Sequence, residues 1–228
     1  MTARLYPGAW EGMRETLGEA HVETLISLED LAVGHLRYEV DANDPLRSKH
    51  LPKSLQDMAY VYEQRKKILG KEHPYTLLST LHIARLKSAL GQHEEAECLI
   101  REGLEVADSN IDPKHIALTM ARTIYAEVLT HLRRYAEAEA LFLTLVVKER
   151  YAQLADEDGD HPDRISALWF FVRCLEEQGK CREALERSEE FVAAMAAIGG
   201  QNMGAKHVVL PKMRDTVARL KEKLDARE

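Results

Sequence analysis

Apolar residues recur along this chain with the period of an α-helix almost from end to end, and short polar turns interrupt them at regular intervals. Residues 69–107, LGKEHPYTLLSTLHIARLKSALGQHEEAECLIREGLEVA, show the pattern most clearly. Leu77, Leu81, Ile83, Ala84 and Leu86 lie at helical spacing behind Pro74, whose fixed φ and missing N–H suit the start of a helix. Gly91 breaks the stripe where a left-handed cap is wanted. A second stripe, Ala96, Leu99, Ile100 and Leu104, predicts a helix over 93–107. Neither helix can bury its stripe alone, so stacked copies are expected.

The copies are in the sequence. Glu95-Ala96-Glu97 returns 42 residues later as Glu137-Ala138-Glu139, and Glu183-Ala184-Leu185 follows 46 residues after that. His21, His73, His115, His161 and His207 head successive units, at spacings of 52, 42, 46 and 46. Glycine precedes four of them: Gly18-x-x-His21, Gly70-x-x-His73, Gly159-x-His161 and Gly204-x-x-His207. From histidine to the small residue of the second helix the interval is 23 in units two, three and four, so length changes are confined to loops.

Taken in order, the pattern predicts a half repeat over 1–20, in which AWEGMRETLG matches VYEQRKKILG at 61–70. It is either a cap or the remnant of a longer array. Repeats follow over about 21–72, 73–112, 113–160 and 161–203, with a capping helix over 207–227. In the first repeat, a helix over 22–40 leads into a turn-rich insertion, Asp41–Pro52, and a second helix starts at Lys53. The third repeat opens on Asp112-Pro113, and its second helix is expected to reach Ala155. The acidic run Asp156–Asp160 lacks the alternating ligands and terminal glutamate of a calcium loop and reads as a linker.

Composition narrows the class. Apolar residues make up 45% and charged residues 30%, with a net charge of −7, which argues against a general phosphate-binding surface and hence nucleic acid. Cys98, Cys174 and Cys181 form no CxxC pair, so a reducing compartment is expected rather than a disulfide scaffold. No signal-peptide pattern opens the chain, and no apolar run approaches a membrane span. The expected location is cytoplasmic, with nuclear as the alternative.

The Gly-x-x-His-Pro heading, the 42-residue unit and the Glu-Ala-Glu opening of the second helix resemble the tetratricopeptide repeats of kinesin light chains. The resemblance runs from Ala9 onward. It implies an all-α, right-handed α-solenoid of tetratricopeptide-like helix pairs, about ten helices in all. It also implies that the first helices line a concave groove that binds peptides. The groove positions would be Ile26, Glu29, Val33 and Arg37, then Leu78, Leu81, Arg85 and Ala89. The third repeat would add Met120, Thr123, Glu127 and His131, and the fourth Ser166, Trp169, Arg173 and Glu177. Where the family has paired asparagines in its first helices, this chain has Glu29-Asp30, Leu81-His82, Thr123-Ile124 and Trp169-Phe170, so its peptide-backbone clamp does not carry over.

Several features invite sharper readings. Arg85 and Arg173 flanking Glu127 could recognise a carboxylate, or form an inter-repeat ladder. Trp169-Phe170-Phe171 could supply an anchor at Trp169, or be packing throughout. The heading histidines recur a repeat apart, so capping is expected and a shared metal is not. His93-Glu94-x-x-Glu97 lacks the second histidine of a zinc-protease helix. The expectation is a non-catalytic scaffold for a protein or peptide, with no metal and no cofactor and with its oligomeric state open. A small-molecule or signalling-peptide sensor is the alternative. An enzyme using Glu127, His82 or His131 ranks last, because no nucleophile or metal companion accompanies them.

Overall fold

The structure is a computed structural model and describes residues 6–37, 45–111, 115–146, 162–197 and 203–226. These residues form ten helices and no strand. In order they are α1 (Tyr6–Leu17), α2 (Val22–Arg37), α3 (Pro45–Leu69), α4 (Pro74–Ala89), α5 (His93–Asn110), α6 (Ile116–His131), α7 (Tyr135–Leu145), α8 (Pro162–Glu177), α9 (Cys181–Ala197) and α10 (Met203–Asp225). Two compact units result, Met1–Ala121 and Arg122–Glu228, and their boundary falls inside α6.

In unit 1 each helix packs on its successor from α1 to α5, and α2 also touches α4, so consecutive first helices are neighbours. Leu25, Leu28 and Ala32 of α2, Leu51, Met58 and Val61 of α3, and Leu86 of α4 share one core. Unit 2 pairs α7 with α8, α8 with α9 and α9 with α10. Phe142, Phe171 and Phe191 are fully buried at its centre, and Phe142 stacks on Phe171 at 5.4 Å. Met213 and Leu220 of α10 close that core, while Arg219 reaches Glu176 at 2.6 Å and Lys221 reaches Glu189 at 2.8 Å.

The turns repeat in atomic detail. Within helix pairs, Gly91 has φ 83°, Arg133 φ 59° and Gly179 φ 76°. In each, the next amide closes back on a carbonyl five residues earlier: Gln92 on Lys87, Arg134 on Leu129, Lys180 on Leu175. These are Schellman caps, which favour glycine at the left-handed position. Arg133 holds that position with a side chain, at a cost of roughly 1–2 kcal/mol per left-handed residue. Glycine adds entropy to the unfolded chain, which offsets roughly 0.5–1 kcal/mol of the gain. Arg133→Gly is therefore expected to stabilise by about 0.5 kcal/mol, read as a raised denaturation midpoint.

Each described heading histidine caps a first helix, as expected. The Nδ1 atoms of His21, His73 and His115 accept from the amides of Glu23, Tyr75 and Ala117 at 3.3, 3.2 and 3.2 Å. His161 and the side chain of His207 lie outside the described residues.

Three boundaries differ from the sequence reading. The Asp41–Pro52 insertion is not a loop up to Lys53: α3 begins at Pro45 and runs through Pro52, while 38–44 lie outside the described residues. The reason is burial. Leu51, Ser54, Met58, Val61 and Arg65 form one inward stripe, so the two added turns have a core to pack on despite the proline. Gly204 and His207 sit inside α10, which starts at Met203, so the fifth heading is not a turn. α7 stops at Leu145 rather than Ala155; 112–114 and 147–161, with Asp112-Pro113 and the acidic run, lie outside the described residues.

Candidate functional site

In unit 1, α4 packs on its own second helix α5, on the preceding second helix α3 and on the neighbouring first helix α2. What remains open is one narrow stripe per helix. On α2 the half-buried positions include Ile26, Glu29 and Asp30; Val33, expected on this face, is buried, and the side chain of Arg37 lies outside the described residues. On α4 the open stripe is Tyr75, Leu78, His82, Arg85 and Ala89. Leu81 is wholly buried in the core, so it offers nothing to a partner. The stripe steps through His82 instead, because four residues separate 78 from 82 where the sequence reading counted three.

Glu29 is engaged within the chain. Arg65 donates Nη1 to its Oε1 at 2.8 Å and Nη2 to its Oε2 at 2.7 Å, a two-point fork. The same Nη1 also donates to Ser79 Oγ at 2.8 Å and to the Tyr75 carbonyl at 3.3 Å. His82 Nε2 lies 3.8 Å from Glu29 Oε1. Arg65 is 4% exposed and so binds α2, α3 and α4 together from inside.

In unit 2 the open stripe of α8 is Ser166, Trp169, Arg173 and Glu177, the set expected from the sequence. Trp169 is half-buried with its ring 5.9 Å from Phe191, whereas Phe170 and Phe171 are buried. The aromatic triplet is therefore mostly packing, with one edge of Trp169 at the surface. On α6, Met120 in unit 1 and His131 in unit 2 are half-buried, while Thr123 and Glu127 are buried. Arg85 lies in unit 1 and Glu127 and Arg173 in unit 2.

Around this face the charges are settled locally. Lys180 donates to Glu139 at 2.7 Å and holds that carboxyl below the usual carboxylate range. Burial pushes the Cys174 thiol up, although Thr130 and Gln178 hydrogen-bond to it. Cys174 and Cys181 are buried free thiols, while exposed Cys98 is raised first by its hydrogen bond to Glu102. Among the described residues no group of three or more His, Cys, Asp or Glu is placed to hold a metal ion. Among them, too, no helix is long and apolar enough to cross a membrane.

Two buried charges escaped the sequence reading, Arg65 and Arg164. A signal for both exists: each stands on the inward stripe of its helix, at three- or four-residue steps from apolar core positions. Two hydroxyls matter in another way. Thr24 Oγ1 and Thr76 Oγ1 are buried with no hydrogen-bond partner. Thr76→Val keeps the shape and removes the unmet polar atom, so it is expected to stabilise by about 1 kcal/mol. Chemical denaturation measures this, and a loss of stability would show that the hydroxyl is satisfied in solution.

No family model matches the chain, and no curated protein matches it in sequence. Solved structures do match. A protein from Podosopora anserina, described as a kinesin light chain with nearly identical TPR-like repeats, aligns over 85% of both chains at 22% identity, with a TM-score of 0.50. A variant of it reaches 0.53 over the same shares at the same identity. BtubC (BKLC) from P. vanneervenii aligns over 99% of this chain and 89% of its own, at 14% identity and a TM-score of 0.60. The chain has the kinesin light chain-type TPR-like fold. Identities this low establish shared architecture alone, since one fold serves many functions.

Proposed function

We propose that the protein is a non-catalytic scaffold that holds a peptide segment or partner domain along the open stripes of its first helices. One observation carries the reading. In each unit the half-buried stripe of a first helix carries an arginine and a large apolar or aromatic side chain, Arg85 and Leu78 on α4, and Arg173 one turn from Trp169 on α8. Arginine and tryptophan are the residues that most often dominate binding energy at protein interfaces. The TPR-like fold supports the reading, since stacked helix pairs create extended binding surfaces. Buried free thiols at Cys174 and Cys181 fit a reducing compartment, cytoplasmic or nuclear.

The test is capture from an extract of the source organism with two baits, the wild-type chain and an Arg85→Glu/Arg173→Glu variant checked for native helicity. Proteins and small molecules are both read by mass spectrometry. A protein kept by wild type and lost by the variant supports the scaffold. A small molecule with that behaviour would favour a sensor, and identical sets from both baits would remove the open stripes from consideration.

A further inference from the structure

Unit 1 carries two turns of one construction on one edge, residues 14–23 and 66–75. They are equivalent at an offset of 52: RETLGEAHVE in the first, KKILGKEHPY in the second. Gly18 has φ 91° and its amide bonds to the Arg14 carbonyl at 3.1 Å; Gly70 has φ 87° and bonds to Lys66 at 3.1 Å. A histidine cap follows in both, at His21 and His73. Tyr60, within α3, donates its hydroxyl to Glu19 of the first turn at 3.5 Å.

The backbones match, but the charges do not. Glu15 stands where the second turn has Lys67, and Glu19 where it has Lys71. All four side chains are exposed. Among the described residues, Glu15, Lys67 and Lys71 make no ion pair, and Glu19 meets Tyr60. Beside them lie Leu17, Val22, Ile68 and Tyr75, four of the seven large apolar side chains that are exposed among the described residues, each close to half exposed.

We propose that this edge is where two copies of the chain pair, about a two-fold axis that lays turn 14–23 of one copy on turn 66–75 of the other. A two-fold interface must be self-complementary: whatever one patch offers, its own neighbour must accept. Equivalent turns of opposite charge, side by side on a single edge, meet that requirement. Glu15 and Glu19 of each copy face Lys67 and Lys71 of the other, and the apolar pairs meet between them. The two turns together reach the roughly 20–30 residues a side of a standard interface. An unrelated partner would need a charge pattern that changes sign along the edge; a second copy already has it.

The experiment is analytical ultracentrifugation of the full chain across a concentration series, at low and high salt. The wild type is expected to dimerise, more weakly as salt rises. Lys67→Glu/Lys71→Glu makes both turns acidic, and Glu15→Lys/Glu19→Lys makes both basic. Each variant alone is expected to weaken dimerisation by about a hundredfold or more, since like charges then face each other. Mixing the two variants is expected to restore a dimer containing one of each. All four positions are exposed, and circular dichroism confirms that the variants fold. A wild type that stays monomeric, variants that dimerise as the wild type does, or a mixture that stays monomeric would each overturn the proposal.

Discussion

Arg164→Ala is expected to lower stability by about 3 kcal/mol, the cost of breaking a buried charge network from one side. Arg164 opens α8 with its side chain 1% exposed. Its Nε donates to the Val146 carbonyl at 2.7 Å, just past the end of α7. Its Nη2 binds Glu190 on α9, whose other oxygen takes Arg187 Nη1 at 2.7 Å. Alanine takes this donor from the carbonyl and opens a space the size of a guanidinium. Glu190 keeps Arg187 and some water, so the loss falls mainly on the join of α7 to α8. Arg164→Lys keeps the charge but cannot span both acceptors, and it is expected to recover less than half of the stability. In an array of stacked helix pairs such damage stays local. Hydrogen exchange should therefore show α7–α9 losing protection while α2–α4 keep theirs. Uniform loss over both units, or a cost under about 1 kcal/mol, would show that Arg164 is not the pin described.

How far the sequence carried the fold can be read from these same residues. The helix pairs, the glycine turns and the histidine caps were legible because each is a local event: a stripe at 3.6 spacing, a left-handed cap, a ring nitrogen two residues from an amide. The stripe on α8 was legible for the same reason. The α3 extension was not, because Pro45 and Pro52 signal a loop in composition, and only the core beneath Leu51 outweighs them. Leu81 reads as a groove residue in the sequence because stripes through 78, 81 and 85 and through 78, 82 and 85 both step by threes and fours. Which of them faces outward depends on where α3 and α5 lie. Arg65 and Glu29 are 36 residues apart on different helices, and no periodicity in the chain joins them. The sequence thus located the open face of α8, placed the buried Val33, Leu81, Thr123 and Glu127 on open faces elsewhere, and missed the charges that fix one helix to the next.

That second kind of bond sets the other large expected effect. Arg65→Met should cost about 3 kcal/mol, because it strands Glu29. The carboxylate is only 14% exposed, and Arg65 gives both its oxygens a partner. Ser79 loses a donor as well, although its own hydroxyl still reaches the Tyr75 carbonyl at 3.1 Å. Adding Glu29→Met to the same chain should return stability to within about 1 kcal/mol of wild type, since a buried ion pair replaced by apolar side chains of similar size is often neutral. The two single variants and the double variant close a thermodynamic cycle, measured by denaturant titration. A coupling of about 2 kcal/mol or more would mean that Arg65 and Glu29 act as one unit joining α2 to α3 and α4. Additive losses would mean that Arg65 holds α4 through Ser79 and the Tyr75 carbonyl alone. Glu29 would then be free in energy, if not in geometry, to meet a partner on the open face.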